Sequence, residues 1–281
     1  MQKSNRKNLE RPGVAIVTGA SSGLGAAFAR SLGAAEPKLS SRLPPFDEIW
    51  LVARRLDRLE ELAKELRSSN PALRVRCLAL DLVLKDSIKS LAAELKGSGK
   101  HLSILINNAG YGTYGPFDEV DIERQLGQID LNCRALAECC GRLGQALKEG
   151  SMLLNVASLA AFAPLGGFAM YAASKAFVLS LSVALAAEWK GRGIRVCALC
   201  PGPVQSEFSL VASDGARKEV RHGYSAELTA ARALYEAAGG RWISLPRPIW
   251  KLRRLAAILA GPKLSAVFAY RFMRRPHQKN D

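Results

Sequence analysis

Tyr171 and Lys175 stand four positions apart in a segment that reads as a helix, with Ser158 just upstream across a loop. Residues four apart on a helix share a face, so the phenol and the ammonium project into one site. An apolar, strand-like run, Met152 to Val156, leads to Ser158, and the loop after it holds Pro164, Gly166 and Gly167. A helix beginning near Phe168 then carries the pair. The chemistry this suits is proton transfer. Free tyrosine titrates near ~10 and free lysine near ~10.4, so neither works at neutral pH unaided. A nearby ammonium stabilises the phenolate and lowers the tyrosine pKa. A drop of ~3 units corresponds to roughly 4 kcal/mol, much of which one partly desolvated cation can supply. Ser158 is then placed to hold a substrate oxygen beside the tyrosine proton.

Such a site needs a rigid frame. Apolar runs alternate with helical patterns along the chain, the signature of βαβ units and a parallel sheet. Strands are predicted at Val14–Thr18, Ile49–Ala53, Arg74–Ala79, Ile104–Asn107, Met152–Ala157 and Ile194–Leu199, with a weaker one at Trp242–Leu245. Helices are predicted at about 23–34, 56–68, 85–96, 120–148 and 168–190. The proline-rich stretch Ala35–Asp47 reads as a lengthened loop. The first strand runs into Thr18-Gly19-Ala20-Ser21-Ser22-Gly23-Leu24-Gly25. A glycine turn between a first strand and a first helix lets a pyrophosphate approach the backbone and sit on the helix N-terminus.

With these motifs in order, the chain from about 13 to 245 resembles the short-chain dehydrogenase/reductase family. The loop at 18–25 matches its cofactor loop, and Asp81, followed by Leu82, matches the adenine-contacting position. Asn107-Asn108-Ala109-Gly110 matches its structural element after the fourth strand. Asn132, Ser158, Tyr171 and Lys175 match its catalytic tetrad in order and spacing. Pro201-Gly202, ahead of Val204, matches the turn bordering the nicotinamide. Ser206 stands where that family has a threonine; it keeps the hydroxyl. The resemblance implies a doubly wound, Rossmann-type α/β sheet and carbonyl–alcohol interconversion by hydride transfer. In these roles Tyr171 is general acid or base, Lys175 tunes it and holds the nicotinamide ribose, Ser158 polarises the carbonyl, and Asn132 positions a water. No metal is implied.

The cofactor is read from the end of the second strand. An acid there accepts from the ribose of NAD, whereas arginine accommodates the NADP phosphate. Ala53 occupies the acidic position, and Arg54 and Arg55 follow. Arginine matches phosphate bidentately, so NADP(H) is expected, with Arg54 the main contact.

Length and composition agree with this reading. At 281 residues and 48% hydrophobic content the chain can bury a large core. Cys77, Cys133, Cys139, Cys140, Cys197 and Cys200 fall mostly in apolar segments, as reduced thiols of a cytoplasmic protein do. The formal net charge of +15 is concentrated at the ends, which hold thirteen basic residues against two acidic ones in 1–12 and 247–281. Three parts are expected: a basic tail over 1–12, a catalytic domain over 13–245 and a basic amphipathic extension over 246–281. No uninterrupted apolar run of ~18 residues exists, so no membrane-spanning helix is expected, and no nucleic-acid motif is present. In the extension, Trp250, Leu252, Leu255, Ile258 and Leu259 recur at helical spacing beside Lys251, Arg253 and Arg254, and Gly261-Pro262 breaks the pattern. That stripe is expected to pack on the body and cover the pocket; weak peripheral membrane contact is the alternative. Residues 206–224 are expected to form a lid. Tyr114, Phe162, Leu165, Phe168 and Phe208 are candidate apolar walls, pointing to a lipid-, acyl- or steroid-like substrate. The helices at 120–148 and 168–190 are expected to pair in a homodimer or homotetramer. A cofactor sensor without turnover, or a membrane-surface scaffold, would use the same fold.

Overall fold

The structure is a computed structural model and describes residues 13–34, 37–217, 223–273 and 275–277. The basic tail over 1–12 and part of the expected lid, 218–222, lie outside the described residues.

Seven parallel strands form the sheet: β1 Gly13–Thr18, β2 Phe46–Ala53, β3 Arg74–Ala79, β4 Leu102–Asn107, β5 Leu147–Val156, β6 Arg195–Leu199 and β7 Ile243–Ser244. Their spatial order is β3-β2-β1-β4-β5-β6-β7. Every residue of β1 and β4 is buried, as expected of strands covered on both faces. The covering helices are α1 Gly23–Gly33, a short α2 Pro37–Ser40, α3 Leu56–Ser69, α4 Ser87–Gly97, α5 Ile122–Ile129, α6 Leu136–Leu143, α7 Ala169–Glu188, α8 Phe208–Ala212, α9 Ala226–Ala238 and α10 Pro248–Phe272. One face of the sheet packs α1, α3 and α9; the other packs α4, α6 and α7. In α3 the buried residues Leu59, Leu62, Ala63 and Leu66 form the single apolar stripe that such a two-layer position requires. The strand order reverses between β1 and β4. In doubly wound sheets that switch point opens a crevice at the carboxyl ends of the strands.

Three expectations change. The helix expected over 120–148 is α5 and α6 joined by a π-helical segment, Asp130–Ala135, and it ends at Leu143. Leu147 already pairs with Leu102 in the sheet, because Ser151 Oγ donates to Leu102 O at 2.8 Å and accepts from Lys148 N at 3.0 Å. Helix α9 has no counterpart among the expected elements, although Ser225 caps it by accepting from Leu228 N at 3.1 Å and its alanine-rich sequence favours helix. Finally, α7 and α10 are both long and apolar enough to cross a membrane by length and composition, because each tolerates a few charges within an apolar window. Helix α7 is a core helix that carries Tyr171 and Lys175. Helix α10 is broken at Gly261, whose φ of 73° and ψ of 172° interrupt the helical backbone ahead of Pro262.

Candidate active site

The crevice at the strand ends is one continuous cavity of about 1910 Å³, larger than the ~300–1,000 Å³ of an ordinary small-molecule pocket. One end is built by the β1–α1 turn. Gly19 and Gly23 have φ of 65° and 52°, left-handed conformations that favour glycine. A Cβ on Gly25 would lie 2.1 Å from Gly19 O. Ser22, at the N-cap of α1, makes no side-chain cap bond, and the first turn has no acidic residue. The start of this eleven-residue helix is therefore without a side-chain cap, and Gly23 and Leu24 line the cavity, the kind of donor set a phosphate takes. The turn fits a dinucleotide pyrophosphate.

Gly19, Ser21, Ser22, Gly23, Leu24, Arg54, Arg55, Asp81, Leu82, Asn108, Ala109, Gly110, Pro201, Gly202, Val204 and Ser206 all line this cavity. Thr18 and Gly25 do not. Thr18 is buried; its Oγ1 accepts from Asn108 N at 2.9 Å and Ala109 N at 3.1 Å and donates to Ile106 O at 3.3 Å. Its job is to tie β1 to the end of β4. Asn108 Nδ2 completes the tie by donating to Thr18 O at 3.0 Å and Gly19 O at 3.2 Å. The two arginines are placed differently. Arg54 is largely exposed and approaches Asp81 at 3.9 Å. Arg55 is anchored beside the glycine turn, with its Nη2 3.2 Å from Ser21 Oγ and 3.0 Å from Glu207 Oε2.

At the other end, Ser158, Tyr171 and Lys175 line the same cavity. Ser158 caps a 3₁₀ turn, Leu159–Phe162, its Oγ accepting from Ala160 N at 3.1 Å. Lys175 Nζ donates to Val156 O at 2.8 Å and sits 5.7 Å from the Tyr171 ring centre. Asn132 does not line the cavity. It lies fully buried in the π-helical segment, donating to Tyr111 O at 2.9 Å and Ser174 Oγ at 3.1 Å and accepting from Tyr111 N at 3.1 Å. A Cβ on Gly110 would come within 2.7 Å of its Oδ1 and 3.5 Å of Lys175 Nζ, so Asn132 stands just behind the lysine. Isolated π-helical turns recur at functional sites.

The electrostatics depart from the simple expectation. Burial raises the Tyr171 pKa above its usual value; the hydrogen bond with Ser158 offsets only part of this. Burial also lowers Lys175 to about 8. Desolvation penalises both charged forms and is the largest cause of the shift in each. The protein alone thus keeps Tyr171 a protonated phenol at neutral pH.

The aromatic wall is built on Tyr171 itself. Phe168 stacks on it with ring centres 4.2 Å apart, Phe208 lies 5.3 Å from it, and Tyr114 packs 4.8 Å from Phe168. Leu165 joins this cluster. Phe162 does not; it packs among the core residues beside the sheet, with Arg254 4.9 Å above its ring. Helix α8 is tied to the wall by Tyr114 N, which donates to Ala212 O at 2.7 Å, and the turn after it by an ion pair of Arg124 with Asp214 at 3.1 Å.

Trp250, which sequence reasoning placed only within a stripe, is an anchor. It is 2% exposed and packs so closely on the Pro201-Gly202 turn that a Cβ on Gly202 would meet its Nε1 at 2.5 Å. Behind the site, Asn107 Nδ2 donates to Asn155 Oδ1 at 2.9 Å and Asn155 Nδ2 to Ser182 Oγ at 3.0 Å. This buried network joins β4, β5 and α7; an asparagine inside a strand run was its only sequence signal. All six cysteines are free, and no group of three metal-ligating side chains occurs among the described residues.

Residues 13–215 match the profile of the short chain dehydrogenase family. The chain belongs to that family. It is an oxidoreductase of the short-chain dehydrogenase/reductase type. Sulfoacetaldehyde reductase 2 of Chromohalobacter salexigens is 32% identical over 206 residues, covering 72% of this chain and 77% of that protein. D-threitol dehydrogenase of Mycolicibacterium smegmatis is 30% identical over 228 residues, covering 78% and 83%. Among solved structures, a short-chain dehydrogenase from Sphingobium yanoikuyae in complex with NADPH superposes with a TM-score of 0.74 at 28% identity, covering 89% of this chain and 93% of that one.

Proposed function

We propose that this protein is an NADPH-dependent reductase of ketones or aldehydes that carry a bulky apolar group. The observation that carries the reading is the sharing of one cavity by the glycine turn, Arg55, and the Ser158–Tyr171–Lys175 group. NADPH, when bound, supplies the hydride. The chain's own residues do the rest. Ser158 donates a hydrogen bond to the substrate oxygen, and Tyr171 gives its proton to that oxygen as negative charge develops. The raised pKa keeps Tyr171 protonated at neutral pH, the form from which it can donate. Lys175 holds the nicotinamide ribose, with Asn132 behind it as the link to water.

Arg55 and, less directly, Arg54 take the 2′-phosphate. No acid follows Ala53 to accept from a free ribose hydroxyl. The named relatives act on small polar compounds, sulfoacetaldehyde and D-threitol. Here the wall over Tyr171 is Tyr114, Phe168 and Phe208, and the face of α10 on the cavity adds Leu264, Phe268 and Phe272. These surfaces bind apolar substrate. Residues 13–245 act as the catalytic domain. Ile122, Leu126 and Phe177, all exposed on α5 and α7, supply an apolar face for a homodimer or a larger homo-oligomer. Free cysteines fit a cytoplasmic setting.

The test is loss of NADPH absorbance against a panel of ketones, aldehydes, quinones, steroids and acyl thioesters, with NADH in parallel. Turnover of bulky apolar carbonyls with NADPH is expected. Tight NADPH binding with silence across the panel would instead identify a sensor. Light scattering at micromolar protein checks the oligomer; a monomer mass rules it out.

A further inference from the structure

Helix α10 has two faces that differ in residue type. Arg253, Ala256, Ala257 and Ala260 line the cavity. On the opposite side Leu252, Leu255, Ile258 and Leu259 are exposed, Leu259 by 77%. Beyond the break at Gly261, Leu264, Phe268 and Phe272 belong to the cavity wall and are exposed as well, Phe272 by 70%. These three side chains thus face both the cavity and solvent. Only 6% of the apolar window of α10 is buried. A continuous exposed apolar surface of this kind marks an interaction site.

Charge selects the occupant. Residues 248–273 contain five basic residues, Lys251, Arg253, Arg254, Lys263 and Arg271, and no acidic one. A second copy seated on this face would bring two such rows together. An anionic lipid surface is complementary to both the apolar and the basic character. Spanning the bilayer is excluded by geometry, since Trp250 and Ala269 are buried against the body and hold both halves of the helix flat along it.

We propose that α10 lies in the interface of an anionic membrane and turns the cavity mouth toward the bilayer, so that the substrate is a carbonyl compound dissolved in lipid. The membrane half stands on the exposed face of α10 alone; the substrate half rests on the reductase reading above.

The experiment is flotation of the full-length protein with phosphatidylcholine vesicles, with and without phosphatidylglycerol, at low and high salt. It is paired with NADPH-dependent turnover of vesicle-carried decanal and of water-soluble propanal. The variant is Leu255→Asp with Leu259→Asp, two exposed positions that do not line the cavity. Expected are flotation with anionic vesicles only, at least tenfold weaker at high salt and in the variant, and loss of decanal but not propanal turnover in the variant. Absence of flotation at low salt, or flotation unchanged by the variant, overturns the membrane contact. A dimer mass that falls to monomer in the variant assigns the face to a second copy instead and also overturns it. Flotation with decanal turnover indifferent to vesicles overturns the lipid-dissolved substrate. Flotation with no turnover of either aldehyde overturns that substrate too and counts against the reductase reading, leaving the membrane contact in place.

Discussion

The two ends of the cavity are built on different terms. The dinucleotide end is made of backbone and short buried side chains: a Cβ on Gly25 would meet Gly19 O at 2.1 Å, and Thr18 and Asn108 satisfy each other across two strands. The substrate end is made of ring contacts, one backbone bond from Tyr114 to Ala212, and a helix whose large side chains face outward. Close-packed backbone admits no added atom, whereas rings and methyls can be exchanged at modest cost if volume is kept. The cofactor end is therefore fixed and the substrate end open to change.

The strongest way to probe the contrast lies where the two ends meet. Tyr171→Phe keeps the ring that stacks on Phe168 and removes the proton, so kcat is expected to fall ~10²–10⁴-fold while NADPH affinity by fluorescence titration stays near wild type. More than about a tenth of wild-type activity would sink the role given to Tyr171.

Gly25→Ala tests rigidity at the cofactor end. The added methyl group meets a carbonyl that cannot yield without moving the turn. A loss of ~1–3 kcal/mol in stability and of measurable NADPH binding is expected, read by thermal melting with and without cofactor. An unchanged melt with normal binding would erase the distinction drawn between the two ends.

Arg55→Ala should lower kcat/KM for NADPH by ~10–100-fold, as removal of a charge-assisted hydrogen bond worth ~1.5–3 kcal/mol would, and leave NADH unaffected. Arg54→Ala is expected to do less. The reverse order of effects would return the main role to Arg54.

The pH dependence follows from Lys175, brought down to about 8 by burial. Below that value the ammonium is present; above it the charge is lost. kcat/KM for NADPH, which reports the free protein, is expected to hold through neutrality and fall by up to ~tenfold per unit above pH 8. The sign for folding is opposite. A lysine with a lowered folded pKa makes the unfolded chain bind more protons between about 8 and 10.5, so its burial penalty is relieved as pH rises through that window. A flat profile to pH 10 would show that Lys175 keeps its charge.

The smallest effect is expected at the open end. Phe208→Ala removes one ring 5.3 Å from Tyr171 and should raise KM for a bulky ketone several-fold, about 1 kcal/mol, without changing NADPH affinity. Equal weakening of NADPH and substrate would mean the two ends are mechanically one.

The frame and the chemical groups were legible in the chain alone. Alternating apolar runs, the glycine turn, and the tyrosine and lysine four apart are local signals, because each depends on a backbone conformation or a helical period set within a few residues. The family resemblance added the order of the motifs and singled out Asn132. What the sequence could not decide depends on direction and burial. Whether Arg54 or Arg55 faces the turn is set by Ser21 and Glu207, which lie far away along the chain. Phe162 and Phe168 look alike in the sequence, yet one packs beside the sheet and the other stacks on Tyr171. The closeness of Lys175 and Tyr171 is readable from spacing, but the desolvation that shifts both exists only once α7 is packed on the sheet. Helix α10 was legible as an amphipathic stripe. That Ala256, Ala257 and Ala260 line the cavity while Leu252, Leu255 and Leu259 do not became visible only with Trp250 seated on Gly202.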